Sequence, residues 1–238
     1  MAENMLFYKW THVLAIDKGK VNMAQTVPEV VIPADWVPGP EQGEWTYEDY
    51  MRLPDDGKRY EILNGVLLLM PFPKDSHQNV AGWIYHHLVI HVRLAGLGKV
   101  RMVPLDVKLG RKNVFQPDVL VVLNEHLERL TEEGVIGAPD LTVEVLSPSS
   151  ALEDRVDKHR EYALAGVAEY WLVSPERRTI EVFTLVGREY RSLGIFSGKD
   201  MLPTRVIPDF PVHVEQFFVV HIKNFLDGLI DRPYPTSA

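Results

Sequence analysis

Apolar positions along this chain recur with two different periods, and the switches between them mark its elements. Residues 59–70 alternate through Tyr60-Glu61-Ile62-Leu63 and Val66-Leu67-Leu68-Leu69-Met70 around Asn64-Gly65. That pattern predicts a β-hairpin, because Asn-Gly supplies the left-handed residues a two-residue turn requires. From Ser76 to about Ala95, Val80, Trp83, Ile84, Leu88 and His91 fall on one helical face, and Gly96 and Gly98 end the helix. Residues 99–109 alternate again and predict one half-buried strand. Two short apolar runs follow, Val119-Leu120-Val121-Val122 and Leu141-Thr142-Val143-Glu144-Val145, separated by a charged linker over 124–137 that reads as partly helical.

Ser150-Ala151-Leu152-Glu153 has the form of a capping box for a helix reaching Ala165, with Gly166 as its stop. Strands are predicted at 169–173 and 179–185, and a last helix over 214–230. Upstream, Thr46-Tyr47-Glu48-Asp49 offers a hydroxyl cap with an acid three residues on, so a short helix starts there and stops at Pro54. Prolines 28, 33, 38 and 40 interrupt the first 43 residues, which read as an extension. The division expected is an extension over 1–43, a folded domain over 44–220 and a tail over 221–238. Helices and strands mix without strict βαβ alternation, which indicates an α/β core on a mixed β-sheet flanked by helices.

Composition narrows the chemistry. The chain has 238 residues, 46% of them hydrophobic, enough for a sizeable core. It contains no cysteine, which excludes disulfides, thiolate zinc sites and thiol nucleophiles. No apolar run reaches the roughly 20 residues of a membrane span, and Met1-Ala2-Glu3-Asn4 opens no basic signal region. The expectation is a soluble cytoplasmic protein. A net charge of −8 counts against a surface that coats nucleic acid broadly, yet it leaves room for acidic metal ligands beside a local basic strip.

Each of the two apolar runs carries a carboxylate that packing does not call for. Asp118 shares its face with Leu120 and Val122, and Glu144 shares its face with Thr142 and Leu146. If the two strands are neighbours, both acids point into one cleft, where hard oxygen donors suit Mg²⁺ or Mn²⁺. Lys158 follows on the next helix. It reads either as an ammonium that assists a water attacking a phosphate or as the surface partner of Asp154 four residues away. His87 and His91 stand four apart but lack the glutamate of a zinc-binding HExxH, and they read as a packed or solvated pair.

Several segments together closely resemble the Uma-two family of restriction endonucleases, within the PD-(D/E)XK nuclease superfamily. They are Trp45-Thr46-Tyr47-Glu48-Asp49-Tyr50, Arg59-Tyr60-Glu61-Ile62-Leu63-Asn64-Gly65, Pro71, His77, Phe115-Gln116-Pro117-Asp118-Val119, residues 137–149, Lys158, Tyr162, Gly166-Val167 and Glu169-Tyr170-Trp171. The resemblance covers about 44–220. It implies the restriction-endonuclease-like fold and a Mg²⁺-dependent DNA endonuclease, with Mn²⁺ as a substitute. Asp118 matches the motif's aspartate and Glu144 its second acid. Leu146 stands where the usual lysine would be, and that role passes to Lys158. Glu61 implies a further metal or water contact, with a hairpin-edge acid paired to Arg59 or Lys58 as the plain alternative. His77 implies orientation or proton transfer, with a helix cap as its alternative.

The DNA substrate expected from this resemblance directs attention to Arg101, Lys108, Arg111, Lys112 and Arg155 as phosphate contacts, with Lys99 beside them. Nucleases of this fold often act as pairs, so a homodimer is expected. A nuclease-like DNA-binding or assembly protein without turnover is the competing reading, motivated by the acidic charge and the displaced lysine.

Overall fold

The computed structural model describes residues 31–147 and 153–219, the second stretch with side chains from Val156 onward. Its elements are β1 (Ile32–Pro33), α1 (Tyr47–Tyr50), β2 (Arg59–Leu63), β3 (Val66–Met70) and α2 (Asp75–Leu88), which continues as a π-helical turn over Val89–Arg93. Then come β4 (Gly98–Met102), β5 (Asp106–Lys108), β6 (Val114–Phe115), β7 (Val119–Leu123), a 3₁₀ turn over Asn124–Arg129, β8 (Gly134–Ile136) and β9 (Leu141–Val145). A π-helical segment over Glu153–Lys158 leads into α3 (His159–Ala165), followed by β10 (Glu169–Ser174), β11 (Thr179–Val186), β12 (Glu189–Ser197) and a 3₁₀ turn over Val214–Phe218.

The strands form two six-stranded mixed sheets rather than one. The first runs β1-β3-β2-β6-β5-β8 and the second β12-β11-β10-β9-β7-β4. In the second sheet, β9 is buried at every position. Leu141, Val143 and Val145 face α2 and the 3₁₀ turn, in a core with Ile84, Leu88, Val119, Val121, Trp171 and Phe217. The opposite face carries Leu120 and Val122 against Val107 and Val135 of the first sheet, and Tyr170 and Leu172 against Phe115 and Tyr162. A sheet covered on both faces reads as continuous apolar sequence, and this is why the two carboxylates stood out. β9 and β10 are parallel, with α3 in the crossover between them.

Local signals in the sequence hold where chemistry fixes the backbone. Thr46 caps α1 and forms the reciprocal box with Asp49. Asn64 and Gly65 take positive φ of 52° and 77° at the hairpin turn, and Gly166 closes α3 in the left-handed conformation. The single strand expected over 99–109 is two strands, β4 in the second sheet and β5 in the first. Pro104 stands between them, and proline has no N–H to extend a ladder. β12 has no counterpart in the sequence pattern because every one of its residues is partly or fully exposed. The helix expected from Val214 is a single 3₁₀ turn through Phe218, and its continuation past Val219, like the cap at Ser150, lies outside the described residues. Among the described residues no helix is long and apolar enough to cross a membrane.

The histidine pair is packed. His87 is buried with its ring edge-on to Phe217 at 5.4 Å, and His91 meets Phe210 at 5.3 Å. Burial, reinforced by His86 and His91, pushes the His87 imidazole down to about 4. A base depressed in the folded state is protonated first in the unfolded chain. Its contribution is therefore present above about pH 6.5 and is lost as pH falls towards 4, amounting to about 3 kcal/mol. His87→Phe is expected to remove that part of the acid sensitivity, checked by denaturant unfolding at pH 7 and pH 4.5. Equal acid losses in variant and native chain would refute this account of His87.

Candidate active site

The chain passes between the two sheets at 103–105 and again at 116–118, and the acidic residues gather at that seam. On β2, Tyr60 and Ile62 bury against Trp45 and Leu67. Alternation therefore turns Glu61 to the opposite face, towards the second crossing. Glu61 Oε1 accepts a hydrogen bond from the Gln116 amide at 3.0 Å. Asp118 Oδ2 accepts one from the Val145 amide at 2.8 Å. Two carboxylates thus tie the Gln116-Pro117-Asp118 connector to both sheets.

Register brings the second acid alongside. β7 and β9 are antiparallel with Val119 opposite Val143, so Asp118, one residue before Val119, stands beside Glu144, one residue after Val143. Asp118 Oδ1 has no hydrogen-bond partner among the described residues, which leaves it available to an external cation. His77 lies in the first turn of α2 and brings Nε2 to 3.1 Å from Asp118 Oδ2. The imidazole thus lies against the Asp118 carboxylate.

Lys158 closes the site. Its Nζ lies 2.8 Å from Glu61 Oε2 and 3.3 Å from Glu144 Oε1, and all three residues are under 5% exposed. The ammonium is therefore buried among the acids rather than on the surface, and Glu61 pairs with it rather than with Arg59 or Lys58. Lys58 pairs instead with Asp56 at 2.9 Å. Phe115 lies beneath the ammonium, 5.7 Å from nitrogen to ring centroid. One turn on, Tyr162 donates its hydroxyl to Glu144 Oε1 at 2.7 Å. Burial and the Glu144 and Glu61 charges push this phenol well above its usual range, so it remains a donor.

The residues fit a divalent ion: two oxygen donors stand in register on adjacent strands, and a buried ammonium marks the negative field beside them. Asp118 and Glu144 would hold such an ion, whereas Glu61, the third acid expected there, has one oxygen on the Gln116 amide and the other on Lys158. A different metal-like grouping, Glu125, His126 and Asp140, lies at the far ends of the same two strands. There Asp140 Oδ2 accepts from the Leu123 amide at 2.8 Å and Oδ1 faces His126 Nδ1 at 2.7 Å. Those bonds fasten the 3₁₀ turn over Asn124–Arg129 to the start of β9.

The expected phosphate contacts are scattered. Lys112 Nζ bonds Gly43 O at 2.8 Å and Glu44 Oε2 at 2.9 Å, and Lys108 sits 4.2 Å from the centre of the Tyr47 ring and 3.6 Å from Glu48 Oε1. Arg101 folds back onto Val100 O at 3.0 Å. Arg111 is exposed in the turn before β6, Lys99 is exposed on β4, and the Arg155 side chain lies outside the described residues. Sequence reasoning assigned no role to Tyr162 or Gln116, although both fall in the quoted motifs. Only the fold shows what they hold.

A search of solved structures finds a crystal structure described as "a putative nuclease belonging to DUF820" from Anabaena variabilis, with a TM-score of 0.60 at 20% identity. The match covers 73% of this chain and 97% of that one, and it shows the shared nuclease-type fold. No curated protein matches. The profile of the family Uma2 (Uma-two), described as "Putative restriction endonuclease", matches residues 47–215, a span that contains Glu61, His77, Asp118, Glu144 and Lys158. The chain belongs to the Uma2 family.

Proposed function

We propose that this protein is a divalent-metal-dependent endonuclease that hydrolyses DNA phosphodiester bonds. The observation that carries the reading is the buried Asp118–Glu144–Lys158–Glu61 grouping at the seam of the two sheets. Family membership and the nuclease-type fold support it. Bound between Asp118 and Glu144, Mg²⁺ or Mn²⁺ would polarise a phosphate oxygen and lower the pKa of a water.

The protein's own residues do the rest. Val145 N–H and His77 fix Asp118 Oδ2, which leaves Oδ1 for the ion. Tyr162 holds Glu144 from one side. Lys158 places a positive charge where negative charge develops on the phosphate, and the low-dielectric setting strengthens that effect. The Gln116 amide keeps Glu61 turned towards the ammonium. Cutting both strands of a duplex calls for two such sites, and the reading includes a homodimer on DNA.

The test is incubation of supercoiled and linear duplex DNA, and single strands, with the full chain in Mg²⁺ or Mn²⁺ against a chelated control. Cleavage that requires the ion supports the reading. Intact nucleic acid under every ion tried, with DNA still bound, would transfer the assignment to a binding protein without turnover. Tyr162→Phe tests the support of Glu144. Loss of a bond that orients a ligating carboxylate is expected to weaken Mn²⁺ binding about tenfold with the melting temperature nearly unchanged, read by calorimetry. Native affinity in that variant would remove Tyr162 from the site.

A further inference from the structure

Arg59 starts β2 two residues before Glu61, and alternation puts the two side chains on one face of the strand. Its Nε donates to Gln116 Oε1 at 3.1 Å. Gln116 Nε2 donates in turn to Asp106 Oδ1 at 2.8 Å, and the Tyr50 hydroxyl donates to the same oxygen at 2.9 Å. This chain admits one orientation of the amide, because a guanidinium only donates and a carboxylate only accepts. Gln116 is therefore locked between Arg59 and Asp106. Through its backbone N–H it also holds Glu61, and it lies two residues before Asp118.

The lock acts on one edge of the guanidinium only. Among the described residues, neither terminal nitrogen of Arg59 has a hydrogen-bond or ion-pair partner. The nearby acids are engaged elsewhere, Glu61 with Lys158 and Asp106 with Gln116 and Tyr50. Lys108 and Lys112, by contrast, spend their charge on the protein's own carboxylates. A partly buried guanidinium with a fixed Nε and an open pair of terminal donors matches the oxygens of a phosphate, and holding it in place beforehand reduces the entropy lost on binding.

We propose that Arg59 is a phosphate-binding residue of the nucleic-acid site, with Gln116 as its positioning residue, gripping a backbone phosphate next to the one that Asp118 and Glu144 address. The proposal rests on the nuclease reading and names a contact within it.

The test is fluorescence anisotropy of a labelled short DNA duplex with the full chain, in Ca²⁺ to keep the strand intact, over a series of salt concentrations. Arg59→Gln is expected to weaken binding about tenfold. The slope of log affinity against log salt should shrink by about one unit, the amount one phosphate contact carries. Arg59→Lys should recover the slope but only part of the affinity, because an ammonium keeps the charge and loses the fork. Calorimetric Ca²⁺ binding should match the native value in both variants. A native slope in Arg59→Gln overturns the assignment, as does a loss of Ca²⁺ binding or of folding in Arg59→Lys, either of which makes the residue structural. If the native chain itself binds no DNA, the nuclease reading falls first and takes this contact with it.

Discussion

Glu144→Gln is expected to abolish metal-dependent cleavage while leaving the protein folded. The amide is nearly isosteric, and its oxygen still accepts from Tyr162 at the position where the carboxylate accepts at 2.7 Å. What disappears is the negative charge, and with it one of two hard donors to the ion. Removing a directly acting electrostatic group of this kind reduces turnover by about a thousandfold. Asp118→Asn should act the same way, since an amide oxygen can keep the bond from Val145 N–H. The checks are initial cleavage rates in Mn²⁺ and thermal unfolding of each variant. Rates within tenfold of native in both would place the chemistry elsewhere.

Lys158→Met has the largest expected effect on stability. Glu61 is 1% exposed and Glu144 4%, and the ammonium they share is 4% exposed. Taking the cation away leaves two buried carboxylates facing each other, and removal of one partner of a buried pair costs roughly 3–5 kcal/mol. For a domain of this size that corresponds to a melting temperature lower by about 10 °C. The partner experiment is the double variant Lys158→Met with Glu61→Gln, in which one of the stranded charges is also gone. It should recover much of the stability and none of the cleavage, because the charge opposite the phosphate is still missing. A Lys158→Met protein that melts like the native chain would mean the ammonium is not held where the acids are.

The two experiments separate roles that one loss of activity would merge. Glu144 and Asp118 are expected to matter for turnover and little for folding. Lys158 is expected to matter for both, because the ammonium that neutralises the acids at rest is also the charge that the proposed reaction offers to the phosphate.

The division between what was legible in the sequence and what was not follows the range of the forces involved. Caps, turns and alternation are local, and the sequence determined them by itself: Thr46 with Asp49, Asn64-Gly65, Gly166, and the faces of β7 and β9. The odd carboxylates were visible too, because a charge inside an apolar run contradicts its surroundings. Tertiary structure alone decided that 99–109 breaks into two strands, that the connector at Gln116 joins two sheets, and that Lys158 lies inside. Those outcomes depend on which distant strands pair, and no periodicity within one segment encodes that. The exposed strand β12 was silent for a related reason: an edge held by backbone bonds to β11 requires little apolar patterning of its own. The sequence thus singled out the acids and the lysine, and long-range pairing brought Lys158 within 3.3 Å of both Glu61 and Glu144.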